Sequence, residues 1–249
     1  MDGSETRTDG RTIGNHGLSM FKRMSNTPSQ SLLLPALFLS GFLIIAASRS
    51  SFAQVDSHVN SWSTSIQTSL LTMIAEAISL AFDAKTLLAL SLLASAYLLY
   101  KSLLTEAILL LSAMGANALC VETAKMLIQS PRPLNGLIQE TGYSFPSGHA
   151  SATIVYLGLL AYFAHPHLNN PKAKTVSNAA FTTAAALVGF NRIYLNSHWL
   201  SDVIGGYMLG AFWTTLTMLT IRHLKAREKN HRRAQDSRNC TISPYSHHG

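Results

Sequence analysis

The sequence predicts an all-α protein, a polytopic membrane helix bundle of about six transmembrane helices with an interfacial or re-entrant helix near residues 66–82. Three observations carry that expectation. Of the 249 residues, 47% are hydrophobic and only 12% charged, where a soluble domain carries roughly 25% charged residues. Several apolar runs approach the roughly 20 residues that a helix needs to cross a bilayer. The formal net charge of +7 sits mostly in the two tails, where basic residues beside a membrane helix set topology or attract anionic lipid rather than mark a nucleic-acid surface. This composition excludes the soluble α/β and all-β classes, and one membrane domain over residues 32–221 is expected.

Residues 1–31 are polar, rich in Gly, Ser and Thr and without periodicity, which reads as a disordered cytoplasmic tail carrying Lys22 and Arg23, with Met20 and Met24 as alternative starts. Leu32 to Ser48 is the first apolar run. Positive charge precedes it and Ser51-Phe52-Ala53 follows, so a cleaved signal peptide and a retained anchor both fit; the run exceeds the roughly 7 to 15 residues of a signal-peptide core, which favours the anchor. Ile66 to Phe82 is apolar on one face and bears Thr68, Ser69, Thr72, Glu76 and Ser79 on or near the other. A carboxylate in the middle of a lipid-facing span is costly, which places this segment at the interface. Thr86 to Tyr100 and Glu106 to Leu127 are the next spans, closed by Lys101 and Lys125. Ser130-Pro131-Arg132-Pro133 then ends the helix. His149 to Phe163, Ala179 to Leu195 and Val203 to Ile221 complete the set, and Gly206 and Gly210 have the small-xxx-small spacing of close helix packing.

Residues 222–249 form a basic tail. If 66–82 does not cross, Lys101, Lys172, Lys174 and both tails fall on the cytoplasmic side, as the positive-inside rule requires, and the 125–149 and 192–202 connections fall outside. Cys120 lies in an apolar run and Cys240 in the basic tail, so neither a disulfide nor a metal site is read from them.

Three charged clusters close spans on that outer side. Lys125 and Arg132 end the third, Pro146-Ser147-Gly148-His149 opens the fourth, and Arg192, His198 and Asp202 join the fifth to the sixth. His198 and Asp202 are four residues apart, so on a helix the carboxylate can hold one imidazole nitrogen and leave the other facing a reacting atom. The alternative makes Asp202 the N-cap of a helix beginning at Val203, with Arg192 and His198 as interfacial residues. The other clusters favour the first reading. Ser147 and Gly148 stand where backbone N–H groups and the positive end of a helix bind anions. Arg132, Arg192 and Lys125 gathered at that point need a multiply charged guest, and phosphate or pyrophosphate fits best. Phosphoryl transfer then divides between two histidines: His198, oriented by Asp202, attacks phosphorus, while His149 protonates the leaving oxygen and later activates water. This scheme requires no metal or cofactor.

Lys125 with Arg132-Pro133 seven residues on, then Pro146-Ser147-Gly148-His149, then Arg192, His198 and Asp202, together resemble the three-part signature of the type 2 phosphatidic acid phosphatase (PAP2) superfamily, in its membrane-integral lipid phosphatase branch. The motif core spans residues 125–202. The resemblance implies His198 as nucleophile, Asp202 as its partner and His149 as acid, with phosphate bound by Lys125, Arg132, Ser147, Gly148 and Arg192. It also implies a lipid phosphate substrate such as undecaprenyl pyrophosphate, phosphatidate or phosphatidylglycerol phosphate. Asn191 departs from the serine that the family usually carries before this arginine; an asparagine can still donate a hydrogen bond, so a change in supporting contacts is expected.

Two other functions compete: a lipid-phosphate binder or transporter that does not hydrolyse, and a vanadate-dependent peroxidase. The presence of both histidines disfavours the first, and the number of apolar runs the second. Tyr143, Tyr194 and Trp199 are expected as aromatic anchors at the water boundary, Glu122 as a partner of Lys125, and His165, His167, His247 and His248 as solvated. Oligomeric state, and any partner beyond lipid, are not legible.

Overall fold

The computed structural model describes residues 28–242, with side chains described for 32–233 and for residue 235. The expected tail therefore lies outside the described residues except for its last turn, as do Met20, Met24, His247, His248 and the side chain of Cys240. Eight α-helices and one short 3-10 turn make up the described chain. They are α1 (Pro28–Ala47), α2 (Arg49–Ser65), α3 (Ser69–Ala81), α4 (Ala84–Tyr100), α5 (Leu104–Ile128), α6 (Gly148–Ala164), α7 (Pro171–Tyr194) and α8 (Leu200–Ile242). The fold is all-helical, as the sequence predicts, and each apolar run lies in a helix of its own.

Local chemistry sets the helix starts. Asp83 accepts from the Lys85 amide at 2.9 Å, Asn170 from the Lys172 amide at 2.9 Å ahead of Pro171, and Ser147 from the Ala150 amide at 3.4 Å, each satisfying a donor that the first turn leaves free. α5 ends on Gln129, whose left-handed φ of 51° turns the chain toward Pro131.

α6 sits against α5, α7 and α8. It runs parallel to α8: a Cβ on Gly206 would stand 2.5 Å from the Ser147 carbonyl oxygen, and one on Gly210 2.5 Å from that of Ser151. The glycine pair thus has the packing role its spacing predicts. α1 packs along α8 in the opposite sense, with Gly41 against Met208 and Arg49, just past its end, against Asp202. One apolar cluster gathers Leu87, Leu110, Met114, Val155 and Leu159, and a second Phe42, Ile45, Val121, Phe145 and Leu209. Outward, Leu88, Leu92, Leu93, Ile108 and Leu119 are exposed, as on a surface solvated by lipid.

By length and composition alone, α5 and the Leu200–Arg233 part of α8 suffice to cross a membrane, and the count reaches four if each of two bent helix pairs is one span. The pairs are α1 with α2, bent by 82°, and α3 with α4, bent by 46°. The sequence reading counts six because it includes α6, which has 17 residues, and α7, whose first turns are polar. Neither α2 nor α3 traverses the bundle. Arg49 and Ser63, near the two ends of α2, touch Asp202 and Asn196; Thr68 and Asp83, flanking α3, touch Tyr194 and His149. All four contacts lie at one end of the bundle, so both helices lie across that end, as expected for residues 66–82. Ser51-Phe52-Ala53 lies within α2. The last helix exceeds the expected Val203 to Ile221 span, continuing through the basic segment to Ile242. Beyond the expected Val203 to Ile221 span, Lys225 pairs with the buried Glu106 of α5 at 2.7 Å.

Candidate functional site

The end of the bundle covered by α2 and α3 brings together the ends of α5, α6, α7 and α8. Between α7 and α8 the chain makes a tight turn in which the amides of Ser197 and His198 both donate to the Arg192 carbonyl, at 3.1 and 3.3 Å. Asn196 takes a φ of 50° there, a conformation asparagine tolerates better than most residues. Its side chain is fixed from above: Ser63 donates to Asn196 Oδ1 at 2.8 Å, and Asn196 Nδ2 donates to Thr64 at 2.9 Å. The Ser147 amide donates to the Asp202 carbonyl at 3.0 Å, tying the start of α6 to the start of α8.

Two guanidinium groups and two imidazoles face one point. Arg192, fully buried in the last turn of α7, places Nη1 2.9 Å from His149 Nε2 and donates from Nη2 to Ser197 Oγ at 3.2 Å. Arg132 places Nη1 3.3 Å from His198 Nε2 and donates to the Ser197 carbonyl at 2.8 Å. Between them lies the Glu140 carboxylate, 2.7 Å from Arg132 Nη1 and 3.0 Å from Arg192 Nη1, with His198 Nε2 at 3.8 Å. Burial raises the Glu140 pKa, but the charges of Arg192, His198, Arg132 and His149 outweigh it and hold the carboxyl below its usual range, so it is an anion.

Behind His198 stands Asp202. His198 Nδ1 faces Asp202 Oδ2 at 3.5 Å and has no closer partner among the described residues. The same Oδ2 accepts the Trp199 amide at 2.8 Å and the hydroxyl of Ser144, while Oδ1 accepts Arg49 Nη1 at 2.6 Å. Burial pushes the His198 pKa down; Asp202 pulls it up, but the net direction is below the usual histidine value. A neutral ring with its proton on Nδ1 leaves Nε2 able to accept from Arg132, a tautomer inferred from those contacts.

The structure thus gathers Arg132, His149, Arg192, His198 and Asp202, with Ser147 and Gly148 at the helix start beside them. Several expectations change in detail. α8 begins at Leu200, not Val203, so Asp202 lies inside its first turn, reaching back to the Trp199 amide instead of serving as the N-cap. The Ser147 amide, expected to be free for an anion, is taken by the Asp202 carbonyl because α6 and α8 pack so closely. Lys125 pairs with Glu122 at 2.8 Å, the expected i,i+3 contact, and no hydrogen bond or ion pair joins it to the arginines among the described residues. Both side-chain polar atoms of Asn191 are buried without a partner among the described residues, so the change in supporting contacts expected there takes the form of a side chain with no hydrogen bond. Tyr194 is buried with its hydroxyl at Thr68 and Thr72 and is no boundary anchor, whereas Trp199 is half-buried and donates to the Pro131 carbonyl at 2.9 Å. His165 meets Asn178 at 2.9 Å, and His167 is exposed.

Three charged residues at this end escape sequence reasoning: Glu140, Arg49 and Asp83, whose Oδ2 is 3.6 Å from His149 Nε2. Two of them carried a signal: Glu140 is the lone carboxylate of the 129–147 connection, and Arg49 is a cation on the side that the sequence reading places outside, where the positive-inside rule disfavours one.

The chain is similar to known proteins in sequence and in fold. The PAP2 superfamily model matches residues 106–225. Phosphatidylglycerophosphatase B of Bacillus subtilis (strain 168) is 35% identical over 107 residues, which are 42% of this chain and 53% of that protein. An undecaprenyl-diphosphatase of Sulfolobus acidocaldarius is 32% identical over 104 residues, 39% of this chain and 46% of that one. The chain thus spans about half the length of the curated relatives it matches. The crystal structure of a transmembrane PAP2 type phosphatidylglycerolphosphate phosphatase from Bacillus subtilis superposes with a TM-score of 0.72 at 27% identity, covering 76% of this chain and 96% of that chain.

Proposed function

Starting from the membership of residues 106–225 in the PAP2 superfamily, we propose that this chain is a membrane phosphatase that hydrolyses a lipid phosphomonoester or diphosphate through a phosphohistidine. The observation that carries the proposal is the Glu140 carboxylate held by Arg132 and Arg192 between two imidazole Nε2 atoms: it marks a pocket built for an anion, and a phosphoryl group has the charge to replace it. The relatives' names supply the substrate class, phosphatidylglycerophosphate or undecaprenyl diphosphate, and phosphatidate has the same phosphomonoester chemistry.

In the reaction, His198 Nε2 attacks phosphorus as the bond to the lipid oxygen breaks, and His149 gives that oxygen its proton. His149 then takes a proton from water, whose oxygen attacks the phosphohistidine and releases inorganic phosphate with His198 restored. Arg132, Arg192, the start of α6 at Ser147 and Gly148, and Lys125 once released from Glu122, stabilise charge on the equatorial oxygens. Asp202 holds the proton on His198 Nδ1, and the 3.5 Å separation of the free state closes as positive charge develops on the ring.

Lys101, Lys172, Lys174 and the basic stretch of α8 lie toward the end opposite the site, which favours an extracytoplasmic active site with cytoplasmic tails. The test is phosphate release from lipid substrates in detergent with EDTA present. His198→Ala is expected to lose at least about a thousandfold in turnover with the helical content kept; retained turnover refutes the nucleophile assignment.

A further inference from the structure

Arg49 stands outside the residues that the family model matches, yet it makes the closest contact to Asp202 that bears a full opposite charge. Its Nη1 donates to Asp202 Oδ1 at 2.6 Å and to Ser201 Oγ at 3.2 Å, its Nη2 donates to Ser130 Oγ at 2.7 Å, and its guanidinium lies 4.6 Å over the Phe145 ring. One side chain therefore joins α2, the chain after α5, the chain before α6 and the first turn of α8. The arrangement fixes which carboxylate oxygen serves which partner: Oδ1 is taken by Arg49, so Oδ2 alone faces His198. We propose that Arg49 is a positioning residue for the phosphoryl-transfer dyad, holding Asp202 in its working rotamer and, by its charge, limiting how strongly that carboxylate favours a protonated His198.

The second half of this role follows from charge balance. His198 is faced by Asp202 from α8, by Arg132 and Glu140 from the 129–147 connection, and from farther off by Arg192 and His149. Attack needs a neutral ring. A carboxylate relieved of its guanidinium partner stabilises the imidazolium more, so losing Arg49 raises the pH below which His198 is protonated and idle. The anion pocket lies on the Nε2 side of the ring, away from Arg49, so substrate binding has no direct use for this residue.

The inference rests on the phosphohistidine reading, and the experiment separates the two. Turnover, KM and the pH profile of kcat/KM are measured with a lipid phosphate in detergent for Arg49→Met, Arg49→Lys, Asp202→Asn, the Arg49→Met, Asp202→Asn double variant, Asp56→Asn and His198→Ala. Arg49→Met is expected to lower kcat by about tenfold to a hundredfold with KM changed less than about threefold, and to move the acid limb up by about half a pH unit. Arg49→Lys keeps the charge and leaves the limb in place. In the Asp202→Asn background, Arg49→Met costs little more, because the carboxylate it serves is gone. Asp56 accepts the Ser201 amide and hydroxyl at 2.9 and 2.6 Å, so Asp56→Asn loosens α2 from α8 without touching Asp202. If Asp56→Asn shifts the limb as Arg49→Met does, or the limb stays put in Arg49→Met, or the two losses simply add in the double variant, the proposal is overturned. Should Arg49→Met not fold, a limb displaced in Arg49→Lys overturns it and an unmoved limb with kcat lowered at constant KM supports it. Full turnover in His198→Ala would instead remove the underlying reading.

Discussion

On the proposed reaction, Glu140, held by Arg132 and Arg192, stands where the phosphoryl group would bind and would be an internal competitor in the free site. Glu140→Gln keeps the shape and removes the charge that holds Arg132 and Arg192, so inorganic phosphate or vanadate should inhibit about tenfold more tightly. Inhibition constants for the two proteins check this; an unchanged or weaker constant would mean that the carboxylate helps to shape the anion pocket and does not fill it. That residue also shows where sequence reading stops. Arg132, His149, Arg192, His198 and Asp202 were legible because each stands at a fixed spacing from a proline, a helix start or a span boundary. Glu140, Arg49 and Asp83 reach the same point from segments whose approach depends on how the helices pack, and spacing along the chain carries no trace of that. Asn191 is a different case: its position was legible, but its lack of partners was not.

At the level of the helix pair, α6 and α8 meet through glycines because nothing larger fits beside the backbone of α6. Gly206→Val would drive its side chain into the Ser147 carbonyl, 2.5 Å from where a Cβ begins. It should destabilise the protein by about 1–3 kcal/mol and lower turnover as well, since Ser147 is bonded to Asp202. Gly115→Ala is the matched control: its Cβ has no neighbour within 4 Å, so the change should be neutral or gain up to about 1 kcal/mol of helix propensity. Thermal unfolding of both variants in detergent distinguishes them, and equal losses would remove the close-packing argument. The helices themselves were readable from their apolar runs and turn residues. The amphipathic α2 was not, because residues 54–65 are polar and only their packing across the bundle end makes a helix there useful.

Among the described residues, charge is divided between the two ends: the arginines at one are matched by carboxylates, while lysines and arginines outnumber carboxylates at the other. The sidedness this implies can be measured. With the native cysteines replaced, Leu134→Cys, fully exposed beside the site, should react with an impermeant maleimide in intact cells. Labelling only after permeabilisation would put the site on the cytoplasmic side. The fold class was legible from composition. The count by length and apolar content falls short of six because α6 has only 17 residues and the first turns of α7 are polar. Because α2 and α3 each return to the level at which they begin, the stretch between α1 and α4 adds no crossing. α1 and α8 pack antiparallel, so Pro28 and Ile242 lie toward the same end of the bundle, and a reporter fused at either terminus is expected to sample the same surroundings.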